Sequence, residues 1–123
     1  MIGMCKVISN LTIPEMITCA INDFVQQNGT ETVMCKAELY DLVGTKYVIN
    51  YSSFLPQDYC YNRFNKGIDF NRQPHLFEYV KKNKYRVIGQ NYPYTGSIVH
   101  KEKGINSEKE IGRWETGVAT LYF

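Results

Sequence analysis

Ser52-Ser53-Phe54-Leu55-Pro56-Gln57-Asp58-Tyr59-Cys60-Tyr61-Asn62-Arg63-Phe64-Asn65-Lys66-Gly67 is the stretch on which the reading of this chain turns. Its edges carry helix signals. Ser52 or Ser53 suits an N-cap, and Pro56 sits in a first turn, where a missing N–H does no harm. Lys66 falls in the last turn and Gly67 just beyond it. Between them lie groups that read nucleic acids: Gln57, Asn62 and Arg63 with bidentate hydrogen-bonding heads, and Tyr59, Tyr61 and Phe64 with stacking faces. The stretch is expected to be the third helix of a winged helix-turn-helix, over 52–66. Its helical wheel has no clean apolar stripe, so which of Tyr59, Cys60, Tyr61 and Phe64 face the core stays open. Asn62 and Asn65, close to Gly67, also suit a helix C-terminus.

Upstream, Thr12-Ile13-Pro14-Glu15 makes a helix entrance, with Thr12 as cap, Pro14 in the first turn and Glu15 closing a capping box. Met16, Ile17, Ala20, Ile21, Phe24 and Val25 then form one helical stripe, and Gln26-Gln27-Asn28-Gly29 ends it. Residues 1–10 are mildly apolar, a short strand or loose arm. Residues 31–34 lean to β, 35–43 read as a second short helix stopped by Gly44, and 46–50 link into the aromatic stretch. Two short helices followed by a polar, basic one form a helix-turn-helix pattern, with a longer link than the strict motif.

Downstream, Leu76-Phe77-Glu78-Tyr79-Val80 and Tyr85-Arg86-Val87-Ile88 flank Lys81-Lys82-Asn83-Lys84. Both flanks are aromatic and β-branched and the turn is polar, which predicts a β-hairpin. After a third helix, a basic-tipped hairpin is a wing. Residues 97–100 suit another short strand, and 101–110 a charged surface loop or frayed helix. The apolar end, 111–123, packs on the domain or on a twin subunit, which leaves a homodimer open. The expected architecture is α+β: a single domain over 1–123, with a winged-helix core at 11–90 and a C-terminal extension at 91–123.

Two pieces of this chain, 55–63 and 75–96, resemble a largely uncharacterised set of bacterial and phage proteins. In that set a PSDYCYNR segment precedes an HLFEY hairpin and an NYPYTG exit. The resemblance covers about residues 13–100 and implies winged-helix architecture, found alone or beside nuclease-like domains. It carries over no catalytic residue. Gln57 departs from the small residue of that motif.

Charge is unevenly spread. The net charge is +2, but residues 1–50 balance to −2, residues 51–100 to +4 and the remainder to zero. A basic middle behind an acidic front suits a small nucleic-acid module. Ser53, Lys66, Lys81, Lys82, Lys84 and Arg86 are expected to hold phosphates, while Gln57, Asn62 and Arg63 face base edges. The expected function is therefore a module that reads double-stranded DNA, a small phage or bacterial regulator. The alternative is an interaction module that blocks a nucleic-acid-handling host protein, such as a CRISPR nuclease, through its aromatic surface.

Other chemistry finds less support. Asp69, Glu78 and Lys81 loosely resemble the acid–acid–lysine set of metal-dependent nucleases, but the three-residue spacing of Glu78 and Lys81 puts them on opposite strand faces. His75 and His100 lack a recognisable nucleophile, and no phosphate-cradling glycine loop occurs. Cys5, Cys19, Cys35 and Cys60 are irregularly spaced with no CxxC, which argues against zinc and for reduced thiols in a cytoplasmic protein. No enzyme activity, metal or cofactor is expected. No apolar run approaches the roughly 20 residues of a membrane span, and residues 1–10 lack a signal-peptide core.

Overall fold

A computed structural model describes residues 10–101 and 107–123. The expectations for residues 1–9 and 102–106 lie outside the described residues. Helix α1 spans Ile13–Asn28 and begins as its sequence dictates. The Thr12 hydroxyl accepts from the Glu15 N–H (3.3 Å), and the Glu15 carboxylate accepts from the Thr12 N–H (2.8 Å). Together they satisfy two donors that a helix start leaves orphaned. Gly29 ends the helix at φ 80°, a region that glycine adopts without strain. Met16, Ile17, Ala20 and Ile21 are buried, the stripe the 3.6-residue period requires.

Strand β1 (Val33–Met34) leads into helix α2 (Lys36–Gly44), which buries Leu39 and Val43 beside α1. Strands β2 (Phe77–Lys81) and β3 (Lys84–Val87) form the expected hairpin, and β1 adds to its other side, giving the antiparallel order β1-β3-β2. At the turn Asn83 takes a left-handed conformation (φ 56°), which asparagine tolerates, and the register slips between Tyr79 and Lys81.

The third helix does not exist. After two 3₁₀ turns, Tyr51–Ser53 and Pro56–Tyr59, residues 60–64 pass between two sheets, with isolated bridges at Cys60 and Arg63 flanking a turn at Tyr61 and Asn62. On one side, Leu76 N–H donates to the Tyr59 carbonyl (2.7 Å) and Tyr61 N–H to the Phe77 carbonyl (2.8 Å). On the other, Phe64 N–H donates to Val99 (2.9 Å) and Val99 N–H to Asn62 (3.1 Å). Both sides of this segment are covered. Cys60 joins the core under α1 and α2, while Tyr61 joins a second, aromatic core. That alternation of buried neighbours explains why no helical stripe is found in the stretch.

The second sheet is β4 (Gly96–His100), β5 (Lys109–Glu115) and β6 (Val118–Leu121), antiparallel in that order. It buries Ile98, Ile111 and Trp114 against Tyr61, Phe70, Ile88 and Tyr94. The winged helix-turn-helix expectation is thus overturned. The fold mixes helices and strands, but its body is two three-stranded sheets bridged by residues 60–64, and residues expected to be an appendage build one of those sheets.

Candidate functional site

Three exposed lysines share one hairpin turn, which is tied to the start of α2. The β2–β3 turn exposes Lys81, Lys82 and Lys84, and Asn83 Oδ1 accepts from the backbone N–H of Lys36 (3.0 Å), the first residue of α2. The turn therefore ties itself to the backbone at the helix start. Lys36 Nζ lies 4.1 Å from the centre of the Tyr51 ring, which stands edge-on to Tyr40 at 5.0 Å. Tyr51 remains half exposed, an aromatic face at the edge of a cationic corner. Neither Lys81 nor Lys82 has an ion pair among the described residues, and Lys84 lies within electrostatic reach of Glu38. Lys36 and Tyr51 are distant in sequence from the hairpin, and no local pattern marks them as its neighbours.

The other expected contacts divide. Ser53 and Gln57 are exposed on the two 3₁₀ turns, and Lys66 is exposed in the turn after residues 60–64. Asn62 turns inward: its amide donates to the Tyr79 carbonyl (2.9 Å) and accepts from the Tyr79 N–H (2.8 Å), standing in for a missing strand neighbour of β2. Arg63 lies over the Tyr79 ring, 4.1 Å from its centre, and pairs with Glu108 at 3.3 Å. Arg86 donates to Glu78 (2.9 Å) and to the Thr30 carbonyl (3.1 Å). These three heads are committed within the molecule, so a base edge would have to displace existing partners.

The nuclease-like set is likewise dispersed. Glu78 holds Arg86 with one oxygen and the Tyr94 hydroxyl with the other (2.8 Å), which links β2 to the chain entering the second sheet. Burial, with that bond to Glu78, pushes the Tyr94 phenol well above its usual range. Asp69 faces Arg72 at 3.6 Å. Among the described residues no three His, Cys, Asp or Glu side chains gather as a metal site would need. The Cys60 thiol is buried and pushed far up by desolvation, which leaves it unreactive.

A cleft of about 850 Å³ opens at the other end of β2. Its floor is aromatic: Trp114, Tyr61, Tyr92 and His75. Trp114 Nε1 donates to the Tyr61 carbonyl (2.7 Å), and the Tyr61 hydroxyl donates to the Gly89 carbonyl (2.6 Å), so the floor is rigid. His75 packs on Phe70 at 4.3 Å with Nε2 against the Phe70 carbonyl (2.9 Å), while Nδ1 is buried near the Cys60 backbone without a well-aligned hydrogen bond. Desolvation holds the imidazole below its ordinary pKa of 6.5, outweighing the carbonyls that favour the proton. The rim carries the amides of Asn71, Gln90 and Asn91, which make no side-chain hydrogen bond among the described residues.

These features define a two-sheet α+β protein with a lysine corner and an aromatic cleft. The chain belongs to the family described as Domain of unknown function (DUF7225), which matches residues 16–121. It is 40% identical over 111 residues to a protein of Bacillus subtilis (strain 168) described as "Uncharacterized protein YnaC". That alignment takes in 90% of this chain and 40% of the relative, so the chain spans well under half of the relative's length. No solved structure matches the chain significantly. Among the described residues, no helix is long and apolar enough to cross a membrane.

Proposed function

We propose that the protein binds DNA through the phosphate backbone, at the corner made by the β2–β3 turn and the start of α2. The observation that carries this reading is the β2–β3 turn, which exposes Lys81, Lys82 and Lys84 and is tied by Asn83 to the backbone of Lys36, whose ammonium lies over the half-exposed Tyr51 ring. Ammonium groups that neutralise phosphates release counterions, and binding then weakens with salt in proportion to the contacts made. A half-exposed ring at the edge adds a face on which an unpaired base stacks, whatever its identity. With Asn62, Arg63 and Arg86 engaged inside, contacts of this kind position the nucleic acid and carry little sequence information.

Retention on heparin and binding to mixed-sequence DNA across a salt series test the reading. Affinity is expected to fall steeply with salt, and the Lys81/Lys82/Lys84→Ala variant to lower the log–log slope for duplex by about 2 to 3. No binding at low salt, or an unchanged slope in the variant, rejects it.

One observation favours a second reading. Among the described residues β6 pairs only with β5, and Val118, Tyr122 and Phe123 beside that edge are exposed. A module acting on a nucleic-acid-handling protein would offer such an edge for strand addition. Failure to bind DNA at low salt, with loss of partner capture on Val118→Lys, supports this reading instead.

A further inference from the structure

We infer that the aromatic cleft between the start of α1 and β5 receives a nucleobase, presented by a single-stranded or flipped-out nucleotide. The choice of ligand rests on the DNA-binding proposal; the cleft itself does not. About 850 Å³ lies within the range of small-ligand sites and accommodates a nucleotide. Tyr92 and His75 line the cleft as part-buried rings and Trp114 as a buried one, and a base contributes its own face to such a lining. The rim offers the unengaged amides of Asn71, Gln90 and Asn91, groups that donate and accept together and so match the mixed edge of a base. The lining carboxylate, Glu15, is already spent on the α1 cap. The lining cation, Arg72, is highly exposed and only loosely paired with Asp69, which leaves it available to a phosphate at the mouth. An aromatic lining, a neutral amide rim and one cation at the entrance together suit a nucleotide.

A base in duplex is stacked and closed to such a cleft, so the substrate is one already unpaired or swung out. The lysine corner lies at the far end of β2. From His75 to Lys81 the chain is extended over six residues, roughly 20 Å at the strand rise, so each site is open to substitution without disturbing the other.

Trp114 is the single tryptophan of the chain and lines the cleft, so its emission reports occupancy directly. The full chain is titrated with each of the four deoxynucleoside monophosphates, with glucose as a neutral sugar control. Saturable quenching by at least one monophosphate is expected at millimolar concentration or below. It should weaken at least fivefold in Asn71→Ala/Gln90→Ala, a pair of rim changes that touches no core contact, and stay unchanged in Lys81/Lys82/Lys84→Ala. No saturable change with any monophosphate overturns the inference, as does equal quenching by glucose or quenching indifferent to the rim variant. Salt-dependent DNA retention without monophosphate quenching removes the cleft proposal alone. Quenching without retention removes the lysine-corner proposal and leaves the cleft.

Discussion

At the scale of single residues, two positions hold unfavourable states that the surrounding structure enforces. His75 is packed among Tyr61, Phe70 and Trp114 and kept neutral by burial. Its folded pKa is lowered below 6.5, so the unfolded chain takes up the proton first. The favourable contribution is complete above the unfolded pKa and is lost as pH falls below about 6.5. Melting temperature is therefore expected to drop between about pH 7 and pH 5, and to drop less in His75→Phe, as followed by thermal circular dichroism. An identical slope in both proteins would refute this. The second position is Thr116, a β-branched residue at φ 46° beside Gly117 at φ 84°. Their turn closes β5 onto β6 with both central residues left-handed, where an Asn-Gly pair is favoured. The Thr116 N–H donates to Thr95 Oγ1 (2.8 Å), and the Gly117 N–H to the Tyr94 carbonyl (2.9 Å). Thr116→Asn is expected to raise stability by about 1 kcal/mol in urea denaturation, because asparagine tolerates that backbone. A loss of stability would show that the turn holds no strain.

At the scale of elements, the 60–64 segment and Glu78 do the joining. The segment supplies backbone partners to β2 and β4. Glu78 bridges Arg86 on β3 and Tyr94 ahead of β4, with both members of its ion pair less than a third exposed. Glu78→Ala leaves Arg86 short of a partner and the Tyr94 hydroxyl unbonded. The expected cost is about 2–3 kcal/mol, below that of breaking a fully buried pair. A change under about 0.5 kcal/mol in chemical denaturation would mean that the bridge contributes nothing. Elements whose cause is local were legible in the sequence. Helix α1 announces itself through Thr12, Glu15 and its stripe, and the β2–β3 hairpin through alternating flanks around a lysine turn. The 52–66 stretch was not, because Pro56 opens a 3₁₀ turn as readily as an α-helix. Its decisive partners, Phe77, Tyr79 and Val99, also lie far along the chain. The β5–β6 hairpin escaped because threonine stands where a turn of that hand calls for asparagine. Of the candidate site, the hairpin lysines were readable and the cleft was not. Its floor joins Tyr61, His75, Tyr92 and Trp114, from four separate stretches.

At the scale of the whole molecule, two three-stranded sheets, β1-β3-β2 and β4-β5-β6, are linked by isolated bridges from Cys60 and Arg63, with α1 and α2 packed on the first. Burial accounts for the aromatic richness of the tyrosine segment, and charge collects elsewhere, at the hairpin turn of Lys81, Lys82 and Lys84. The central claim is that residues 60–64 hold two sheets together. The Asn62 side chain tests it most directly, because its amide fills both backbone positions of Tyr79. Asn62→Ala leaves that part-buried N–H and carbonyl unpaired, at a cost of about 2 kcal/mol. The measurement is the urea-unfolding free energy of Asn62→Ala against the unaltered protein, with DNA affinity followed on the folded fraction. The account predicts stability lowered by about 2 kcal/mol and affinity unchanged. Unchanged stability with lost affinity would contradict it and return Asn62 to the nucleic-acid surface.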